Sequence, residues 1–221
     1  MKSRKIIIPK DVLLILLLVV LLSLGRVVFF EKYSFIFLFW NLFLACIPFF
    51  ISSLMVWYVK QGRAHISFMV FGWIAWMLFF PNAPYVVTDL IHVGRIHSVP
   101  VFYDLTLLFS AAWAGLLVGL YSLSHIEELI RMKYSLGRTH AIIVGILLIS
   151  SFGMYLGRFI RFNSWNVLTN PEPLFGKVWD IISRPYAHQD AYVFTLFFFI
   201  FMYLFYNAWK YGRNSFSSEG L

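Results

Sequence analysis

Charge is scarce in this chain. Only 13% of its 221 residues are Asp, Glu, Lys or Arg, against 61% hydrophobic and 20% aromatic. Soluble domains carry about a quarter charged residues, so the polar surface needed to cover a water-soluble globule is missing. Thiols are nearly absent as well. Cys46 is the only cysteine and lies in an apolar run, which excludes an intrachain disulfide and gives no basis for a thiolate metal centre. There is no Walker loop, dinucleotide fingerprint, GxSxG elbow or HExxH helix, so none of those chemistries has its scaffold. Short alternating segments are lacking too, which excludes a membrane β-barrel.

What remains is long apolar runs. In lipid every backbone N–H and C=O must find its partner inside the chain, so such runs cross as helices, and about 20 residues suffice. Six are predicted: Val12 to Phe30, Ser34 to Val59, Ile66 to Phe80, Val101 to Ile126, His140 to Arg158 and Ala191 to Trp209. The first follows a basic start (Lys2, Arg4, Lys5, Lys10). Its Leu24-Gly25-Arg26-Val27 stretch offers no cleavage site, so an uncleaved helix is expected, with Arg26 reaching the headgroups. The third run stops at Pro81, and Pro84 adds a second breaker. The PYVVTDLIHVG stretch that follows is short and polar, and reads as a re-entrant or surface segment. Between Arg161 and Asp190, Leu174, Phe175, Val178, Trp179, Ile181 and Ile182 recur at helical spacing. They predict a short amphipathic helix on the outer surface, before the sixth span. The expected fold is thus an all-α membrane protein, a single polytopic domain over residues 1–221 built as a bundle of six transmembrane helices. Ala111, Gly115 and Gly119, with Gly153 and Gly157, recur every fourth residue and predict tight packing of the fourth and fifth helices.

The net charge of +8 does not point to nucleic acid, because the basic residues sit in short patches beside apolar runs and form no basic face. They act as topology signals. Lys60, Arg63, Arg131, Lys133, Arg138, Lys210 and Arg213 join the basic start on one side. Arg26, Lys32, Arg95, Arg158, Arg161, Lys177 and Arg184 fall on the other. Both termini are therefore expected in the cytoplasm.

Ionisable groups in a span cost about 2.5–3.5 kcal/mol each on insertion scales, so their placement is informative. Asn41, Asn82, Thr88, Asp89, His92, Asp104, Arg158 and Arg161 all fall in or near the outer half of the spans. Asp104 lies about 4.5 Å inside its helix end at about 1.5 Å per residue. Asp89 and His92 are three apart, as are Arg158 and Arg161, so each pair would share a face if helical. One arginine can pair with Asp104 or Asp89 while the other takes an anion through its planar fork. Tyr85, Tyr103 and Trp165 can wall the pocket. A metal held by Asp89, His92 and Asp104 is a weaker alternative, since no tight ligand motif is present. Structural ion pairs at the helix ends are the plainest reading. His65, His97, His125, His140 and His188 lie near span ends or in loops, with no role assigned.

Three segments, PNAPYVVTDLIH, FYDLTLLFSAAWAGLLVGLYSL and GMYLGRFIRFNSWNVL, resemble an uncharacterised family of bacterial integral membrane proteins, domain of unknown function 1361. The resemblance covers helices two to six and implies a multi-pass protein of the bacterial cytoplasmic membrane. It brings no reaction or cofactor. Its motif positions fall on Asn82, Pro84, Tyr85, Asp89, His92, Asp104, Arg158, Arg161, Asn163 and Trp165. Three functions stay open: a pocket in the extracytoplasmic leaflet that binds or transports a polar or anionic ligand such as a lipid headgroup; a membrane enzyme with Asp89 or His92 as general base; or a non-catalytic assembly subunit.

Overall fold

A computed structural model describes residues 8–94 and 99–218, with side chains described as far as Arg213. Lys2, Arg4, Lys5, Arg95 and His97 lie outside the described residues. The described chain is all-helical, without strands: α1 Lys10–Phe30, α2 Phe37–Lys60, α3 Ile66–Phe79, a single turn α4 Asn82–Tyr85, a 3-10 helix Val86–His92, α5 Val101–Arg131, α6 Leu136–Tyr155, a π turn Leu156–Ile160, α7 Asn166–Thr169, α8 Pro171–Ser183, a 3-10 turn Pro185–Ala187 and α9 Gln189–Ser218. Among the described residues six helical stretches are long and apolar enough to cross a membrane, as the composition predicts. Two compact units divide the chain, Met1–Lys133 and Tyr134–Leu221.

In the first unit α5 is the central helix, buried along most of its length against α1, α2 and the α4/3-10 segment. Its sequence explains the position, because small residues (Ser110, Ala111, Ala112, Ala114, Gly115, Gly119, Ser122) line it and let neighbours approach closely. α1 is apolar on every side, yet it buries only Val12, Val19, Ser23 and Arg26, with Leu16 partly buried beside them. These alternate at four and three residues, the narrow seam of a left-handed crossing. Arg26 sits on that seam.

The third span does not end at Pro81. Helical rotation continues to His92, and Ala83, Pro84, Val86 and Asp89 are buried between α2 and α5. The surface form of the expectation is corrected by this burial. Local bonds explain how the backbone survives two prolines. Pro84 has no N–H to give the Phe80 carbonyl, so Ala83 N–H donates to it instead (3.1 Å). The Phe79 carbonyl then lacks its usual donor and accepts from the Asn82 amide (2.9 Å). Three β-branched residues in a row, Val86, Val87 and Thr88, follow and crowd an α turn, and the coil tightens to 3-10. Close approach of this segment to α5 needs the glycine stripe. A Cβ on Gly115 would lie 2.8 Å from the Ala83 carbonyl oxygen, and one on Gly119 would lie 3.1 Å from the Ala83 Cβ. Gly115 and Gly119 thus accommodate the proline turn, a partner the spacing did not reveal.

In the second unit α6 and α9 pack antiparallel. Tyr155 donates to Asp190 (2.7 Å) near one end, and Tyr203 and His140 meet near the other. The predicted amphipathic helix is α8, whose Leu174 and Ile181 are buried.

Candidate functional site

Polar side chains of the first unit gather at one end, where α1 finishes, α2 begins, the 3-10 helix finishes and α5 begins. Asp104 is 1% exposed and gripped by Arg26, Nε to Oδ1 at 2.8 Å and Nη2 to Oδ2 at 3.3 Å. Arg26 Nη1 also donates to the Lys32 carbonyl (3.3 Å), and the guanidinium lies over the Phe35 ring at 4.2 Å. Tyr103, next to Asp104, donates to the Leu22 carbonyl (2.6 Å). One expectation is corrected. Arg26 does not reach for headgroups, because it is itself 1% exposed. Its guanidinium instead holds Asp104. A planar fork against a carboxylate, each supplying the other's hydrogen bonds, is the arrangement that makes a charge pair tolerable away from water. The signal was available in the sequence: position 26 continues the Val12/Val19 seam.

Asp89 is also 1% exposed, and its Oδ2 accepts from the Asn41 amide at 2.7 Å. In a 3-10 helix residues three apart eclipse one another. Val86, Asp89 and His92 therefore form one row, and the alignment expected for Asp89 and His92 is sharper than an α-helix would give. The His92 ring meets Phe37 edge-on, centroids 5.4 Å apart. Tyr85 and Thr88 form a second row, in which the Thr88 hydroxyl donates to the Tyr85 carbonyl (2.7 Å). Asn41, Asp89, His92 and Asp104 thus share an end of the unit. With Arg26 engaging both oxygens of Asp104, the suggested metal set of Asp89, His92 and Asp104 loses a ligand. Among the described residues no group of three or more His, Cys, Asp or Glu stands ready for an ion.

Arg158, Arg161, Asn163 and Trp165 belong to the second unit, where α6 gives way to a π turn. Arg158 is half-buried within the turn and Arg161 is exposed just after it. Arg161 has φ 64°, a left-handed backbone uncommon for any residue but glycine. A π turn closes hydrogen bonds at i→i+5 and rotates less per residue than an α turn, so the two arginines do not share a helix face as expected. Asn163 N–H donates to the Asn166 side chain (2.6 Å), and the Trp165 carbonyl accepts from Leu168 and Thr169. These bonds fix the loop after Arg161.

A buried polar network that no sequence motif marks lies deeper in the first unit. Trp76 Nε1 donates to Ser122 (2.8 Å), Ser122 and Ser52 hydroxyls meet at 3.1 Å, and Ser52 and Ser53 each lie 3.3 Å from His125 Nδ1. It ties α3, α5 and α2 together. Hydroxyls and one indole carry no hydropathy signal strong enough to single them out, and nothing in the sequence sets His125 apart from the other span-end histidines. Ser122→Ala leaves the Trp76 N–H buried without this acceptor. The expected cost is about 1–2 kcal/mol, read as a lower unfolding temperature in detergent. Trp76→Phe together with Ser122→Ala is expected to lose less than the two single losses added. Additive losses would mean the indole and hydroxyl are not coupled.

No curated protein and no solved structure matches the chain. A family model does match, over residues 40–205. That stretch contains all three motif segments, and the chain belongs to the family described as Protein of unknown function (DUF1361).

Proposed function

We propose that this membrane protein binds a polar or anionic ligand, a lipid headgroup or a small anion, at the arginine-bearing turn of its second unit. The observation that carries the reading is the backbone. In lipid a regular α-helix satisfies every peptide group, yet the chain abandons it at both polar motifs. One becomes a seven-residue 3-10 helix, longer than the usual three or four residues. The other becomes a π turn ending on a left-handed arginine. Departures of this kind recur at functional sites, where strain is held in place by its surroundings. Arg161 is the anion contact in this reading, and Asn163 shapes the loop beside it. In the first unit Lys60, Arg63 and Arg131 lie at the end opposite Asp89 and Asp104. The positive-inside rule supports placing the polar end on the extracytoplasmic side, and the family resemblance supports a bacterial cytoplasmic membrane.

Native mass spectrometry of the purified protein tests this, titrating a phosphatidylglycerol headgroup lipid in one arm and inorganic phosphate in the other. Arg161→Ala is expected to weaken whichever binds by about tenfold or more, since hydrogen bonds to a charged group contribute about 1.5–3 kcal/mol. Arg161→Lys is expected to restore part. Equal binding by wild type and Arg161→Ala in both arms overturns the reading.

A second reading, a membrane enzyme acting on a lipid-linked or extracytoplasmic substrate, is favoured by the eclipsed Asp89 and His92. An ionised Asp89 would orient the imidazole as general base.

A further inference from the structure

α8 carries more apolar surface than its own unit covers. At 3.6 residues per turn Leu174 and Ile181 lie within about 20° of each other, whereas Phe175, Trp179 and Ile182 occupy a separate arc about 60° wide. The first pair is buried, and Ile181 packs with Tyr155 and Ala191. The second set is 59%, 71% and 57% exposed. The expected apolar stripe is therefore divided in its burial, one edge turned inward and the other outward, with half-buried Val178 between them. A large apolar patch left exposed marks an interaction surface.

Its place in the fold says what covers it. Tyr155 is the last residue of α6 and Ala191 the third of α9, so the helix lies against the end of one span and the start of the next. It is pinned there. Tyr192 donates to the Ile181 carbonyl (3.1 Å), and Asp180 receives Lys177 (3.2 Å), His188 (2.9 Å) and Arg184 (3.4 Å). Hydrogen bonds from His188 and Lys177 hold the Asp180 carboxyl below its ordinary range. The same two spans carry exposed apolar side chains as well, among them Phe159, Val193 and Phe197, the kind of surface a span offers to lipid. α8 meets these spans where one ends and the next begins. Basic groups (Lys177, Arg184) lie on the other arc, the composition of a helix resting in a headgroup layer, where tryptophan is at home.

We propose that α8 is an interfacial helix whose Phe175, Trp179 and Ile182 are seated in lipid at the headgroup–acyl boundary. The proposal is independent of the ligand reading. Site-directed spin labelling tests it in a Cys46→Ser background, the only native thiol being removed, with the protein reconstituted in phosphatidylcholine–phosphatidylglycerol vesicles. Single cysteines replace Phe175, Trp179 and Ile182, and, on the polar arc, Gly176 and Ser183. A Cβ at Gly176 meets nothing within 4 Å, and the other positions are exposed, so the variants are expected to fold. Labels at the three stripe positions are expected to collide with oxygen several-fold more than with a water-soluble nickel chelate, and the two controls the reverse. Equal nickel access at all five positions overturns the proposal. So does low access of both reagents at the stripe, which would mean that protein, a second copy or another partner, covers it.

Discussion

Asp104→Ala is expected to destabilise the protein by about 3–5 kcal/mol, the usual cost of removing one partner of a buried ion pair. The magnitude comes from what is left behind. Arg26 is 1% exposed, and two of its hydrogen bonds go to the Asp104 carboxylate. Without that carboxylate a guanidinium remains on the α1 seam with only the Lys32 carbonyl and the Phe35 ring as partners. Arg26→Ala should cost a similar amount through the stranded carboxylate. The double replacement Arg26→Met with Asp104→Leu removes both charges and keeps the volume, and it is expected to recover most of the loss. Unfolding of the four proteins in one detergent, by heat or by titration with sodium dodecyl sulfate, measures the recovery; the single Arg26→Met and Asp104→Leu variants close the cycle that gives the coupling. If the double variant is as unstable as the two single losses added together, the pair is not the neutralising unit described above.

That pair also shows where a sequence can be read and where it cannot. Composition and run length sufficed for six apolar helices, because lipid leaves helices as the default solution. The helix before the sixth span was legible from periodicity alone. Which residue answers which charge was not. Arg26 and Asp104 are 78 positions apart, and a helix apolar all round hides its inward side from any count of hydrophobic residues. Only the seven-residue spacing through Val12, Val19 and Arg26 could have placed Arg26 inward. Arg158 and Arg161 looked aligned because α geometry was assumed, and a π turn has no propensity signature that would have warned against it.

The proline turn was legible only in part, for a related reason. Pro81 and Pro84 are breakers by propensity, and the short polar stretch that follows fits a surface segment as well as a re-entrant one. Asn82, however, spends one donor on the carbonyl that the turn frees, and Thr88 caps another. Side chains that seemed to advertise a site are thus partly repairing the backbone. The Asp89 carboxylate reaches across to Asn41 on α2, which keeps it and His92 among the functional candidates.

Gly115→Ala is the substitution that tests whether this segment docks as described. Exchanging glycine for alanine inside a helix normally gains up to about 1 kcal/mol from propensity, so a net loss needs a real clash. At Gly115 the new methyl would stand 2.8 Å from the Ala83 carbonyl oxygen and 2.9 Å from a Val86 methyl. The first of these is backbone and cannot swing aside. Overpacking of this kind costs about 1–3 kcal/mol, and Gly115→Leu should cost more. At Gly119 the nearest atom is the Ala83 Cβ at 3.1 Å, which predicts a smaller loss. At Gly72 the methyl would meet the Met55 sulfur at 3.0 Å and its Cγ at 3.1 Å, atoms of a flexible side chain that can shift where a backbone carbonyl cannot. Gly72→Ala is therefore expected to cost least of the three. Thermal unfolding in detergent should rank Gly115→Ala lowest, then Gly119→Ala, then Gly72→Ala. Because Val86 and Asp89 share a row of the 3-10 helix, the Gly115 change should also disturb the Asp89–Asn41 bond, so Asn41→Ala should cost less in that background than in the wild type. A Gly115→Ala protein as stable as Gly72→Ala, with the full Asn41→Ala loss retained, would show that the segment after the third helix is not seated against α5.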